Sequence, residues 1–222
     1  MQFTNSINQE LLDILNPYAE WFFEQDDHDA LLPTGESLVK RMGGMDHISS
    51  CSIEYMNHVV GKDGAHIGFP EVAYCCDISQ GAGVIPKHHV EKQQELNSQL
   101  IAYLGARNVA VHTYYPPNGF MGWHNNWNAH GYNILLTYNS EENGGFFRYL
   151  DPITKEVVTL VDPKGWSCKV GYFGRGREPD KVVYHCCSNT AKRLTLGYVV
   201  PHLEIWRSMI EDISGEDASH FS

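Results

Sequence analysis

The alternation of apolar and polar positions divides the chain into three stretches. Residues 6–23 carry Ile7, Leu11, Ile14 and Leu15 at helical spacing, and Ser6 with Gln9 three positions on has the form of a capping box, so a helix is predicted there. Pro17 is expected to kink or end its first part. Residues 89–104 predict a second helix with Leu96, Leu100, Tyr103 and Leu104 on one side and Gly105 placed as a left-handed C-cap. Residues 24–87 have no sustained period and are expected to hold short strands and loops.

After Gly105 the period shortens to two. Strands are predicted at Asn108–Tyr115, Tyr132–Asn139, Phe146–Asp151, Glu156–Val161, Ser167–Phe173, Val182–Cys187 and Arg193–Val200, separated by turn sequences such as Asn143-Gly144-Gly145 and Asp162-Pro163-Lys164-Gly165. Seven short strands in so brief a stretch point to a β-sandwich or jelly roll. Leu203, Trp206, Ile210 and Ile213 give a closing amphipathic helix that covers one face. A single domain over residues 1–222 is expected: residues 1–107 packing on the outside, 108–200 forming the β core, and 201–222 making a helix and tail.

Composition narrows the class. At 222 residues with 42% hydrophobic content the chain can bury a full core. It has no apolar run of bilayer length, and Met1-Gln2-Phe3-Thr4-Asn5 does not open a signal peptide, so a cytoplasmic protein without a membrane role is expected. The net charge of −11, from 16 basic and 27 acidic residues, disfavours duplex nucleic acid, whose affinity needs clustered cations. Arg175/Arg177 and Lys192/Arg193 are the densest basic groupings. Cys51, Cys75, Cys76, Cys168, Cys186 and Cys187 form no CxxC and read as reduced, packed thiols.

Two segments carry chemistry: residues 113–139 and residues 182–200. An oxygen-activating iron centre takes two imidazoles and usually a carboxylate on one face, leaving the opposite positions open. His124 follows a Gly-rich turn, and His185 lies 61 residues later (185 − 124) inside an apolar strand, room for four strands to bring the chain back. Arg193 and Thr195 follow on the next strand. An antiparallel return would place this guanidinium deep in the same cavity, able to take a carboxylate through two parallel hydrogen bonds with the threonine adding a third.

In that order, His124, His185 and Arg193-Leu194-Thr195 resemble the Fe(II)/2-oxoglutarate-dependent oxygenase superfamily, in particular its small prolyl-hydroxylase-like and phage-type members. The resemblance covers residues 108–200 and implies a double-stranded β-helix (jelly roll, cupin-like) with flanking helices. It implies Fe(II) bound by His124 and His185, and 2-oxoglutarate held by Arg193, Thr195 and Tyr115, with Tyr114 the substitute for Tyr115. O₂ would be the other co-substrate, and an unidentified small molecule or protein would be hydroxylated as 2-oxoglutarate goes to succinate. The sequence departs from the family at one point: His124-Asn125-Asn126 puts Asn126 where the third ligand is usually Asp or Glu. Three outcomes follow: Asn126 ligates directly or through water, a halide takes its place as in related halogenases, or the fold survives as an inactive binding module. Arg148, if alternation turns it inward, His130 and Trp127 are the candidate substrate residues, although Trp123 and Trp127 also read as packing. His58, His66, His88, His89 and His112 read as structural.

Overall fold

The computed structural model describes residues 2–62, 68, 70–78, 85–126, 130–174 and 178–219. In chain order the elements are β1 (Gln2–Thr4), α1 (Gln9–Glu24), α2 (Gly35–Met42), α3 (Ile53–Val60), β2 (Ala73–Tyr74), β3 (Cys76–Asp77) and α4 (Lys87–Leu104). Then come β4 (Asn108–Tyr115), β5 (Phe120–Asn125), β6 (Gly131–Asn139), β7 (Gly145–Leu150), β8 (Val157–Asp162), β9 (Gly165–Phe173), β10 (Tyr184–Asn189), β11 (Arg193–Val200) and α5 (Leu203–Ser214). One sheet has the order β1-β9-β6-β11-β4-β3, the other β2-β5-β10-β7-β8, and every pair is antiparallel. Successive strands from β4 to β11 thus alternate between facing sheets except at the β7–β8 hairpin, which stays in the smaller sheet, and the first pairs with the eighth and the second with the seventh. That is the double-stranded β-helix.

Strand alternation assigns each side chain to a face. On the six-stranded sheet Tyr114, Ile134, Leu136, Cys168, Val170, Leu194, Leu196 and Tyr198 turn outward. They pack beneath Leu11, Leu15, Tyr18 and Phe22 of α1, Leu96, Leu100 and Leu104 of α4, and Trp206, Ile210 and Ile213 of α5. Helix α1 is capped by Asn8, whose side chain accepts from the Leu11 amide at 2.8 Å. It runs through Pro17, which is exposed; the carbonyl it leaves unpaired belongs to exposed Asp13, within reach of water. Gly105 does end α4 in the left-handed region, at φ 58°. The outer face of the smaller sheet packs Phe120, Trp123 and Cys186 against Tyr55, Met56 and Val59 of α3.

Two regions differ from the sequence expectation. Residues 24–87 hold two helices as well as the short strands, because α2 and α3 are only 8 residues each and leave too few apolar positions to show a period. An eighth barrel strand, β5, was not apparent, and it carries His124. No helix among the described residues is long and apolar enough to cross a membrane.

Candidate metal and dicarboxylate site

Between the sheets lies a cavity of about 150 Å³ lined by His124, His185, Asn126, Arg193, Thr195 and Tyr115, together with Asp77, Met121, Leu135, Phe147 and Cys187. β5 and β10 pair so that His124 and His185 stand directly opposite one another, with ring centroids 4.2 Å apart. His185 points inward by regular alternation along β10. His124 points inward because β5 carries one extra residue: between the pairs Cys187↔Met121 and His185↔His124, β10 advances two residues and β5 three. Trp123 is thereby left on the outer face, donating from Nε1 to the Ser52 carbonyl at 2.9 Å. The bulge needs Gly122, since a Cβ there would sit 2.7 Å from Val72 Cγ2 and 3.0 Å from the Val72 carbonyl. The same bulge broke the alternation that would have revealed the strand.

Each imidazole is oriented through Nδ1 by the carbonyl two residues back. His124 pairs with Gly122 O at 2.8 Å and His185 with Val183 O at 3.1 Å. A carbonyl accepts only, so Nδ1 carries the proton and Nε2 keeps the lone pair, the arrangement typical of metal-binding histidines. Phe147 stacks on His185 at 5.2 Å and Phe173 meets it edge-on at 5.1 Å. Burial holds the His124 ring neutral, its pKa pushed down to about 4, and holds His185 well below the usual range with His124 adding to the effect. Both are therefore ligand-competent at neutral pH. Asn126, directly after β5, lines the same cavity. Among the described residues no carboxylate or thiolate joins the two imidazoles within ligating reach.

The deeper wall carries charge. Arg193, 1% exposed, donates from Nε to Asp162 Oδ2 at 2.9 Å, and Lys169 Nζ lies 2.6 Å from Asp162 Oδ1, with lysine and aspartate fully buried. Burial would raise the Asp162 pKa, but Arg193 and Lys169 outweigh it and hold the carboxyl below its ordinary range. In formal charge the trio is two cations against one anion, and burial answers part of the imbalance by pulling the Lys169 pKa below its ordinary value. Such an excess costs several kcal/mol, on the order of a solitary buried ion, unless an anion joins it. The guanidinium lies over the Tyr115 ring, 5.0 Å from its centroid, and Nη1 has no partner among the described residues.

Beside it runs a row of hydroxyls. Thr113, Thr195, Thr137 and Ser167 face one another across β4, β11, β6 and β9 on the inner surface. The three threonine oxygens are buried and find no partner among the described residues. Buried donors are rarely left so. Together with Nη1 they form a cradle for an acceptor-rich, negatively charged group, and a carboxylate has that chemistry.

The candidate residues divide as follows. His124, His185, Asn126, Arg193, Thr195 and Tyr115 come together in the one cavity. Tyr114 turns to the helical side. Arg148 lies on the outer face of β7, because Phe147 and Tyr149 take the inward positions; it donates to the Cys51 carbonyl at 2.8 Å and to Thr159 at 2.9 Å. It lines a separate groove with His47 and Ser188. His130, just before β6, is half-buried and does not line the cavity. Trp127 lies outside the described residues, as do His66, Arg175 and Arg177. All six cysteines are unpaired and buried.

Comparison with known proteins gave no match to any family model and none among curated proteins. Among solved structures, the chain is similar to a Pseudomonas putida prolyl-4-hydroxylase at 14% identity and TM-score 0.43, over 89% of this chain and 91% of that one. It is also similar to a Burkholderia pseudomallei oxidoreductase of the 2OG-Fe(II) oxygenase family, at 13% identity and TM-score 0.37 over 58% and 66% of the two chains. A cupin domain from Bordetella pertussis aligns at 16% identity and TM-score 0.26, over 43% and 85%.

Sequence reasoning missed Asp162, Lys169, Thr113 and Thr137. Asp162 read as the first residue of a turn, Asp162-Pro163-Lys164-Gly165, whereas it closes β8 with its side chain buried. A lysine amid the apolar residues of β9 was the available signal for a buried partner. Asp77 also went unnoticed. It pairs with Thr113 and lines the cavity, while its neighbour Cys76 packs on the helical side.

Proposed function

We propose that the chain is an Fe(II)- and 2-oxoglutarate-dependent oxygenase that hydroxylates its substrate while 2-oxoglutarate is converted to succinate and CO₂. One observation supports this above the others. A pair of neutral imidazoles with Nδ1 tied back, and a net-positive wall with an unpartnered guanidinium nitrogen, share a single cavity. The donor set fits the groups: two nitrogen ligands for the metal, and a cationic, hydroxyl-lined end for the far carboxylate of a dicarboxylate. When bound, Fe(II) with 2-oxoglutarate and O₂ supplies the oxidising power that side chains lack.

The remaining work belongs to the protein. His124 and His185 would hold the metal, with the Asn126 amide oxygen as a neutral third ligand. Arg193 and Thr195 would take the far carboxylate and so orient the co-substrate, and Asp162 aims the guanidinium by holding its Nε edge. Met121, Leu135 and Phe147 give the cavity apolar walls, which strengthen the charge interactions inside it. The test is calorimetry under anaerobic conditions. 2-Oxoglutarate should bind to Fe(II)- or Mn(II)-loaded protein much more tightly than to metal-free protein, and His124→Ala should remove that difference. Metal-independent binding, or none, would overturn the proposal.

A further inference from the structure

Outside the barrel, at the C-terminal end of α1 and the first turn of α4, Asp27, His88 and His89 converge. His88 Nε2 is 3.1 Å from Asp27 Oδ2, and His89 Nε2 is 2.8 Å from Asp27 Oδ1. All three donor atoms lie within 4.8 Å of one another, and among the described residues no other set of three His, Cys, Asp or Glu does so. Consecutive residues on a helix project about 100° apart, so adjacent histidines ordinarily diverge. Here the two rings turn to the same carboxylate, with centroids 4.4 Å apart. Edge-on contacts from Trp21 and Phe22, at 5.3 and 5.5 Å, fix the buried His89 ring.

We infer that Asp27, His88 and His89 form a second divalent-metal site, built for a zinc-class ion and joining the exit of α1 to the entrance of α4. Two imidazoles and a carboxylate are ligands that zinc shares with other late transition metals. The sharing of one carboxylate brings the donors together beforehand, and on binding the ion displaces the two Nε2 protons, which pass to Nδ1 or to solvent, so that each ring offers its Nε2 lone pair. Access is open: the His88 and Asp27 side chains are 49% and 27% exposed, while His89 is fully buried. The ion would replace the His–Asp hydrogen bonds that now join the segment after α1 to the first turn of α4. The site lies on the helical side of the six-stranded sheet, away from the barrel cavity. Its existence does not depend on the reading of that cavity.

The test is zinc binding by full-length, metal-free protein, with stoichiometry from calorimetry and elemental analysis. Wild type is expected to take two ions per chain. The double variant His124→Ala/His185→Ala should keep one, and the further change Asp27→Asn with His88→Ala should remove it. In the barrel-deficient background, zinc at about one hundred times its Kd should raise the melting temperature by roughly 5–10 °C, and this rise should vanish with His88→Ala. His88 is half-exposed, so its truncation should leave the fold intact by circular dichroism. The inference fails if the barrel-deficient protein binds no zinc, or if Asp27→Asn and His88→Ala leave both stoichiometry and melting shift unchanged. In either case the three residues are a hydrogen-bonded cluster and nothing more.

Discussion

Replacing Arg193 by Met separates the anion site from the fold that holds it. Arg193, Lys169 and Asp162 carry a net +1 in a fully buried setting. Removing the guanidinium leaves Asp162 with Lys169 at 2.6 Å, a neutral pair, so the variant sheds the buried excess charge. The lost charge-assisted hydrogen bond, about 1.5–3 kcal/mol, is offset by relief of the uncompensated charge, so the anion-free melting temperature should fall by no more than roughly 3–12 °C. The loss to co-substrate binding is larger in proportion, because the far carboxylate would lose its buried partner, at about 2–4 kcal/mol. At ~1.4 kcal/mol per decade that is a roughly 30- to 700-fold rise in Kd. Anaerobic calorimetry of 2-oxoglutarate into Mn(II)-loaded wild type and variant, alongside thermal melts, reads both quantities. A folded Arg193→Met protein that binds 2-oxoglutarate within about threefold of wild type would refute the assignment of this wall to the dicarboxylate.

Asp162→Asn should behave in the opposite way. It strands two buried cations and is expected to cost about 3–5 kcal/mol of stability, and an added dicarboxylate should restore more of the melting temperature than it adds to wild type. Asn126→Asp should tighten Fe(II) binding by about tenfold or more if Asn126 is the third ligand, since a carboxylate replaces a neutral amide; unchanged affinity in calorimetry would show that it points elsewhere. His112 is fully buried, bonded to the Tyr18 hydroxyl at 2.7 Å, with its pKa pushed down by burial to about 3. The unfolded chain therefore binds the extra proton from about pH 6.5 downward, and stability falls as pH drops from there towards pH 3, by about 2 kcal/mol at pH 5. A His112→Asn variant should show a shallower loss of melting temperature between pH 7 and 5, and an identical slope would exclude His112 as its source.

The legible parts of the fold were those where one rule acted alone. β4 and β11 were read to the residue, because two-residue alternation is bounded by Gly105 and Pro116 in one case and begins just after the Thr190-Ala191-Lys192 turn in the other. β5 was invisible because its bulge places Trp123 and His124 on opposite faces after Met121, so no period survives. Helix α2 escaped for another reason: none of its residues is buried, and an apolar period exists only where a core demands it. Within the site, order along the chain sufficed to bring His124, His185, Arg193 and Thr195 into one cavity, β5 and β10 being paired in one sheet and β11 facing them from the other. Asp162 and Lys169 needed the three-dimensional meeting of β8, β9 and β11. Asp27 and His88 are brought together across 61 residues (88 − 27) by helix packing, a separation that no local spacing rule encodes. The inward or outward turn of Arg148 was a parity question that the neighbouring Phe147 and Tyr149 settled.

The most direct measurement is the release of succinate from 2-oxoglutarate under O₂, by wild type and His185→Ala, each with and without added Fe(II). Wild type should form succinate only when Fe(II) is supplied, and His185→Ala, with Arg193 and Thr195 still in place, should form none above the protein-free background. Succinate formation that ignores Fe(II), or that persists in His185→Ala, would contradict the assignment of this cavity to an iron-dependent oxygenase.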